Sequence, residues 1–190
     1  MKAARREVLA TAGRALLWLP ACLAVWYFAV APIGWLPSRL AAPLISMAAG
    51  KITQVETSQR TVTYAVRLEG PYRPGGSLEA ETRVEVHAAT YTFGVAVFTA
   101  LALAARGWRR PARLALGLAI LLPLPAFGIA FDGLRQLAGS PELAALLQWQ
   151  GATREAIALG YQVGSLLLPT LAPIIAWLAL FPAAWGHADP

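Results

Sequence analysis

The stretch Thr82 to Arg113, TRVEVHAATYTFGVAVFTALALAARGWRRPAR, contains three kinds of sequence in immediate succession. Its first part, Arg83 to His87, alternates polar and apolar side chains, as a half-buried β-strand does. The apolar run Ala88 to Ala105 follows directly and is long enough to cross a bilayer core as a helix. Four arginines then end the run: Arg106, Arg109, Arg110 and Arg113. The stretch predicts a β-segment in water, a membrane crossing and a basic cytoplasmic stop, in that order.

The composition of the chain indicates a small integral membrane protein. Of its 190 residues, 57% are hydrophobic and only 14% are charged. A net charge of +6 could also suggest a nucleic-acid partner. However, eight of the sixteen Lys and Arg residues flank apolar stretches, within residues 1–14 and 106–113. Because this is the positive-inside pattern, we interpret the charge as a topology signal and expect no nucleic acid.

The N-terminal apolar run, Ala15 to about Ile33, has two interpretations. A basic segment before an apolar run also describes a signal peptide, and Ala29-Val30-Ala31 has the form of a cleavage site. Pro32 would hinder that cleavage, and the run of about nineteen residues is long enough to span the bilayer. We therefore favour a retained first transmembrane helix.

The next segment predicts a small structure outside the membrane. A short helix is expected from Ser38 to about Ala49, at the outer surface or packed against the bundle. Two alternating runs then flank the turn Gly70 to Gly76, which predicts an antiparallel hairpin, with a possible short strand near Ile52–Glu56. Since an isolated hairpin is only marginally stable, it should rest on that helix, on the membrane or on a partner.

The predicted fold is an all-α membrane protein with a small β insert, namely a four-transmembrane-helix bundle carrying an extracytoplasmic β-hairpin subdomain. The two later crossings contain prolines that should kink them. The predicted segments are a basic cytoplasmic N-terminus (1–14), the first span (15–33), the outer helix and hairpin (34–87), the second span (88–105), a basic cytoplasmic loop (106–113), the third span (114–131), an outer loop with a short helix (132–155), the fourth span (156–181) and a cytoplasmic tail (182–190).

The distribution of charge agrees with both termini on the cytoplasmic side. The proposed inner segments carry eight basic residues and two acids, whereas the outer segments carry eight of each. Only the inner side is therefore strongly positive, as the positive-inside rule requires.

The chain offers little catalytic chemistry of its own. The four proposed spans lack charged and histidine side chains except at their ends, which argues against a proton-coupled pump or a channel with charged rings. Cys22 and His87 would lie at different depths, and no GxSxG, Walker A, HExxH or GxGxxG motif is present. We expect no catalytic residue, no cofactor and no metal, and we interpret Cys22 as a small packing residue.

Several polar and small residues have alternative interpretations. Asp132 and Arg135 could form a pair at the outer end of the third helix, although a solvated helix end is the simpler interpretation. The acidic side chains Glu79, Glu81 and Glu85 could bind a cation, but an ordinary wet sheet face is favoured because basic side chains interrupt them. The small residues of the spans, Gly94 among them, could serve an intermolecular face or hold the helices of one chain together.

The segment Glu85 to Leu103, EVHAATYTFGVAVFTALAL, resembles the exosortase H-associated membrane proteins of Gram-negative bacteria. In that family an outer β-segment leads into a helix that opens with Tyr, an aromatic or small residue, and Gly. The order of an N-terminal span, a Trp- and Pro-rich exit, an outer hairpin and three further spans is also similar. This chain has His87-Ala88 where an Asn-Pro-like turn would be expected.

The resemblance implies an inner-membrane accessory of a sorting transpeptidase, whose catalytic residues would belong to the partner. The expected partners are thus the lipid bilayer and an exosortase-like membrane protein or a second copy of the chain. The residues expected to take part in recognition are Tyr64, Tyr72, Arg83, His87, Tyr91, Gly94, Asp132 and Arg135. A different hypothesis is a small lipid- or substrate-handling enzyme or transporter, with a cavity between the third and fourth spans.

Overall fold

Long apolar helices dominate the structure, a computed structural model that describes residues 2–58, 60–69, 79–105 and 111–182. Within those residues, three helical stretches are long and apolar enough to cross a membrane: Leu9–Phe28, Pro111–Gly139 and Ala152–Leu180. Ala89–Ala104, the predicted second crossing, is a shorter apolar helix. The predicted turn at 70–76, most of the basic loop at 106–113 and nearly all of the tail lie outside the described residues.

The helices follow the order in which the sequence introduces them. Helices α1 to α9 are Lys2–Phe28, Val30–Ala49, Ala89–Thr92, Gly94–Ala104, Pro111–Leu121, Pro125–Gly139, Pro141–Leu146, Ala152–Gln162 and Leu168–Leu180. The break between α5 and α6 falls at the predicted proline kink, beside Pro123 and Pro125. A π-helical turn, Val163–Leu167, joins α8 to α9 just before Pro169.

Helix α4 lies at the centre of the apolar bundle. It is antiparallel to α1, because Trp26 meets Thr92 at one end of the pair, while Leu19 and Leu103 pack against the same small apolar cluster toward the other. It is parallel to α9: Gly94 lies against Pro169 near the start of both helices, and Phe98 packs against Phe181 farther along. The sheet therefore stands at one end of the bundle, and Arg113 marks the other.

Helix α2 is longer than the sequence predicts, since it begins at Val30 rather than at Ser38 and contains both Pro37 and Pro43. The two prolines remove backbone donors without ending the helix. Its buried face is nearly continuous, from Val30 to Ala49, and packs against α6 and the sheet. Tertiary packing thus overrides the helix-breaking tendency of the prolines.

The predicted hairpin is part of a three-stranded antiparallel sheet. Its strands are β1 Lys51–Thr57, β2 Thr61–Glu69 and β3 Glu79–His87, in the order β1-β2-β3. The register pairs Tyr64 with Val84, and a bulge interrupts β1 between Ile52 and Gln54. The predicted alternation is confirmed in the described parts, where one face of β2 and β3 is buried and the opposite face of β3 is exposed.

The largest hydrophobic core of the described residues lies beneath this sheet. It joins apolar side chains of α2, β2, β3 and the distal part of α6, with Trp149 and Ile157 beside them. The stretch Pro111–Gly139 has 29 residues, hence about 43 Å of helix, which exceeds a hydrocarbon core of about 30 Å. Its sheet-side end thus serves as the support that the hairpin was expected to need.

Candidate interaction surface

A cluster of polar side chains on α6 ties the sheet to α8. Arg135 Nη2 lies 3.0 Å from Asp132 Oδ1, one helical turn away. Gln136 Nε2 donates a 2.8 Å hydrogen bond to the carbonyl oxygen of Glu85 in β3. The Arg135 guanidinium lies 4.4 Å from the ring centroid of Tyr161 in α8, a cation–π contact. We call Asp132, Arg135 and Gln136 the α6 cluster.

Burial is uneven within the α6 cluster. The Asp132 side chain is 13% exposed and that of Arg135 is 48% exposed. Asp132 also interacts electrostatically with the hydroxyl group of Tyr91 in α3. The arrangement supplies charge and hydrogen bonds that position β3, α3 and α8 around α6.

Replacing Asp132 by Asn should weaken the subdomain slightly. The expected loss is about 0.5 kcal/mol, because the partner Arg135 is half exposed and solvent screens the pair. Thermal unfolding in detergent measures the loss, and high salt should reduce it because the Debye length falls to about 3 Å at 1 M. Glu142→Gln, at an exposed position on α7, is the control. Equal losses in the two variants would contradict a role for the pair.

The outward side of α2 carries an apolar surface. Five large side chains, which we call the outer face of α2, are exposed by 38–85% of their area: Trp35, Leu36, Leu40, Leu44 and Met47. The charge within this stretch is Arg39, whose guanidinium lies 5.7 Å from the Trp35 ring centroid. Contiguous exposed apolar side chains of this kind mark protein or membrane contacts.

Tyr64 fixes α2 to the sheet from the inside. Its side chain is fully buried, and its hydroxyl donates a 2.8 Å hydrogen bond to the carbonyl oxygen of Ser38. Burial raises the pKa of Tyr64 well above its usual range, so the hydroxyl remains a donor at physiological pH. The bond joins β2 to the middle of α2 and holds the outer face of α2 in a defined orientation.

The structure brings together three of the residues predicted to take part in recognition, since Tyr91, Asp132 and Arg135 meet at the α6 cluster. Arg83 and His87 are exposed on β3. The other three lie elsewhere: Tyr64 is in the core beneath the sheet, Gly94 is in the bundle against Pro169, and Tyr72 is outside the described residues.

Sequence reasoning missed the outer face of α2. Leu36, Leu40, Leu44 and Met47 recur every three or four residues, which is the spacing of one helical face. The signal was available, but Pro37 and Pro43 made the segment look like a broken surface element. The spacing of the apolar residues predicts the helix that forms, whereas the two prolines wrongly suggested a break in it.

The cavity between the proline-bearing helices is very small. Its volume is about 10 Å³, and Gly94, Leu121, Gly164 and Pro169 are among the residues that line it. A single water needs about 10–15 Å³ of such space, so no substrate fits there. Among the described residues, no three His, Cys, Asp or Glu side chains stand close enough to hold a metal ion. Cys22 is buried in the packing of α1 against α4.

Comparison with known proteins assigns the family. No curated protein and no solved structure matches the chain. The family model described as exosortase H-associated membrane protein matches residues 5–184, nearly the whole chain. The resemblance carried by Glu85 to Leu103 is thereby confirmed. With a bundle of membrane-length apolar helices and a small sheet at one end, this chain belongs to the exosortase H-associated membrane protein family.

Proposed function

We propose that the chain is a non-catalytic accessory subunit of the bacterial inner membrane that binds an exosortase-type sorting transpeptidase through the outer face of α2. The observation that carries this proposal is the row of exposed apolar side chains on α2, whose opposite face is firmly packed. The family of the chain supplies the class of partner. Arg83 and His87, exposed on β3, are candidates for further contacts with the same partner.

The proposal includes four transmembrane spans with both termini in the cytoplasm. Ala89–Ala104 has only 16 residues, but it lies alongside α1 and α9 within the apolar bundle. If it did not cross, Arg113 and the sheet would have to share one side of the membrane, although they lie at opposite ends of the bundle. The basic residues at 1–14 and 106–113 favour the cytoplasm for their side.

The alternative of a lipid- or substrate-handling enzyme or transporter has weaker support. It requires a cavity between the third and fourth spans, and that location holds about 10 Å³ lined largely by apolar side chains. Gly94 and Gly164 close the space further, because the neighbouring backbone approaches them too closely for a side chain. A tightly packed interior of this kind is typical of a scaffold, which binds its partner through its surface.

Charge introduced on the outer face of α2 should strongly weaken partner binding. Met47→Glu, at a position 85% exposed, should reduce co-purification of the exosortase with the tagged chain by roughly tenfold, because a desolvated interface disfavours an unpaired carboxylate. The measurement is quantitative recovery of exosortase from native membranes in mild detergent.

Thr153→Glu is the matched control, since it places the same carboxylate on an exposed position of α8, away from α2. Equal exosortase recovery with both variants would exclude the outer face of α2 as the contact. Recovery of a second copy of the chain in place of exosortase would support the homo-oligomer instead.

A further inference from the structure

Strand β1 forms an open edge of the sheet. The Ser58 N–H donates a 2.8 Å hydrogen bond to the carbonyl oxygen of Thr61, which closes the turn between β1 and β2. Because bonded and non-bonded pairs alternate in an antiparallel ladder, every second residue of β1 bonds to β2, counted back from Ser58. The residues between them, Val55 and Thr57, point their N–H and carbonyl groups away from β2. Among the described residues, no other element bonds to these groups.

The opposite edge of the sheet differs, because α6 lies against it. On β3 the carbonyl oxygen of Glu85 points away from β2 and accepts the hydrogen bond from Gln136. A bulge between Ile52 and Gln54 limits the open edge of β1 to the second half of the strand. We call the outward backbone groups of Val55 and Thr57 the β1 edge. It is short, and it offers donors and acceptors to one extended segment.

An open depression lies beside the β1 edge, between β1 and α2. The residues that line it are Ala31, Pro32, Trp35, Thr57 and Ser58. Thr57 pairs with Val62, and paired residues point to the same face of a sheet. Val62 is fully buried whereas Thr57 is exposed, so the buried side of the sheet is left uncovered at this corner.

A strand added to the β1 edge would place a side chain in this depression. Its backbone would bond to Val55 and Thr57, and each residue opposite these two would share their face of the sheet. The side chain opposite Thr57 would therefore meet Trp35 and Pro32. An apolar side chain matches the indole and pyrrolidine rings of these two residues.

Two guanidinium groups flank the depression. That of Arg39 lies 5.7 Å from the ring centroid of Trp35, and Arg60 lies in the turn that begins at Ser58. Both arginines are exposed, and neither forms an ion pair with another described residue. The acid of β1, Glu56, points to the opposite face of the sheet, where it accepts a 2.7 Å hydrogen bond from a neighbouring amide. A segment with carboxylates beside its apolar residue therefore complements the charge of this corner.

A second copy of β1 is the weaker candidate for this position. Two copies related by a two-fold axis would pair β1 with β1 in the antiparallel sense. With Val55 opposite Val55, Lys51 of one copy would approach the turn that holds Arg60 of the other. The neighbouring register would set Glu56 opposite Glu56. Like charges meet in both registers, which disfavours self-pairing.

We propose that the β1 edge binds an extended polypeptide segment that carries an apolar residue flanked by carboxylates. The segment extends the sheet by one strand, its apolar side chain enters the depression at Trp35, and its carboxylates lie beside Arg39 and Arg60. Strand addition of this kind draws affinity from main-chain hydrogen bonds and specificity from the pockets that receive alternate side chains. The site goes beyond the exosortase contact proposed for the outer face of α2, with which it shares only Trp35.

The test uses the full chain, purified in mild detergent, and a fluorescent peptide, acetyl-Glu-Thr-Leu-Thr-Leu-Thr-Glu-amide. In the extended peptide the Leu and Glu side chains share one face. Fluorescence anisotropy measures its affinity. N-methylation of both Leu amides should weaken binding by roughly tenfold, because it removes the donors that face β1. Gln in place of both Glu residues should weaken binding by about fivefold. Equal affinities for the three peptides would overturn the proposal.

Variants of the chain test the same site from the other side. Thr57→Pro should weaken peptide binding by roughly fivefold, since it removes an outward N–H but no bond of the ladder. Thr57→Ala keeps that N–H and is the matched control. Arg60→Gln should weaken binding by about threefold, whereas Arg67→Gln, on the exposed face of β2, should leave it unchanged.

Peptide binding that Thr57→Pro and Arg60→Gln both leave unchanged would overturn the proposal. So would a wild-type dimer that Thr57→Pro converts to a monomer, because the β1 edge would then belong to a second copy. If Thr57→Pro fails to fold, the N-methylated peptide decides alone, since it leaves the protein unaltered. The assay contains no exosortase, so its failure would leave the contact at the outer face of α2 in place.

Discussion

Gly164→Ala is expected to lower the free energy of unfolding by roughly 3 kcal/mol, because the added methyl group meets backbone rather than a movable side chain. A Cβ at position 164 would lie 2.5 Å from the Cα of Gly128 and 3.1 Å from its nitrogen. The α6 backbone and the π-helical turn Val163–Leu167 would have to separate. Unfolding in mixed detergent micelles, followed by tryptophan fluorescence, measures the change.

Gly139→Ala is the control for this prediction. It makes the same substitution in a helix, but a Cβ at position 139 meets nothing within 4 Å. It should leave stability unchanged or raise it slightly by restricting the unfolded chain. If both glycine variants unfold alike, the close approach of α6 to the π-helical turn does not limit the stability of the bundle.

The close contact at Gly164 belongs to a packing motif of small residues that was not recognised in the sequence. Gly160 and Gly164 form a small-x-x-x-small pair, in which Gly160 accommodates the ring of Phe131 and Gly164 the backbone of Gly128. Small residues in the spans could have served an intermolecular face or packing within the chain. At Gly94, Gly128 and Gly164 the structure favours packing within the chain.

Elements with strong local patterns were predictable. The alternation along β2 and β3 indicates one buried face, and the apolar length of α1 indicates a crossing. In both cases the sequence pattern directly reflects the physical property that forms the element. That property is burial of one face for β2 and β3, and apolar length for α1. The remaining strand, β1, carries a weaker pattern, since most of its residues are exposed and a bulge interrupts it.

Elements that extend beyond the hydrocarbon core were harder to predict. Hydropathy places the end of the third crossing near residue 131, but α6 continues to Gly139 because Leu134 and Leu137 pack beneath the sheet. Hydropathy reports where a membrane ends, not where a helix ends. The α6 cluster depends on the same long helix. The Asp132–Arg135 pair was one of two interpretations of the sequence, but the contacts of Gln136 with Glu85 and of Arg135 with Tyr161 were not predictable.

Tyr64→Ala is expected to destabilise the subdomain formed by α2 and the sheet by about 4 kcal/mol, since removing a fully buried aromatic side chain leaves a cavity. The loss should be local at first, because Tyr64 joins β2 to α2 while the apolar packing of α1, α4 and α9 lies elsewhere. Limited proteolysis should therefore cut the sheet and α2 before the transmembrane helices. Release of α2 should also reduce exosortase recovery, because the outer face of α2 loses its fixed orientation.

Tyr64→Phe separates the hydroxyl group from the ring. It keeps the packing volume and removes only the 2.8 Å hydrogen bond to the Ser38 carbonyl, so the expected loss is about 1 kcal/mol. Because burial raises the pKa of Tyr64, the difference between wild type and Tyr64→Phe should be constant between pH 6 and about pH 9. A Tyr64→Phe variant that folds normally yet loses exosortase would make Tyr64 a direct contact with the partner, whereas a variant that keeps exosortase assigns Tyr64 to the internal support of α2.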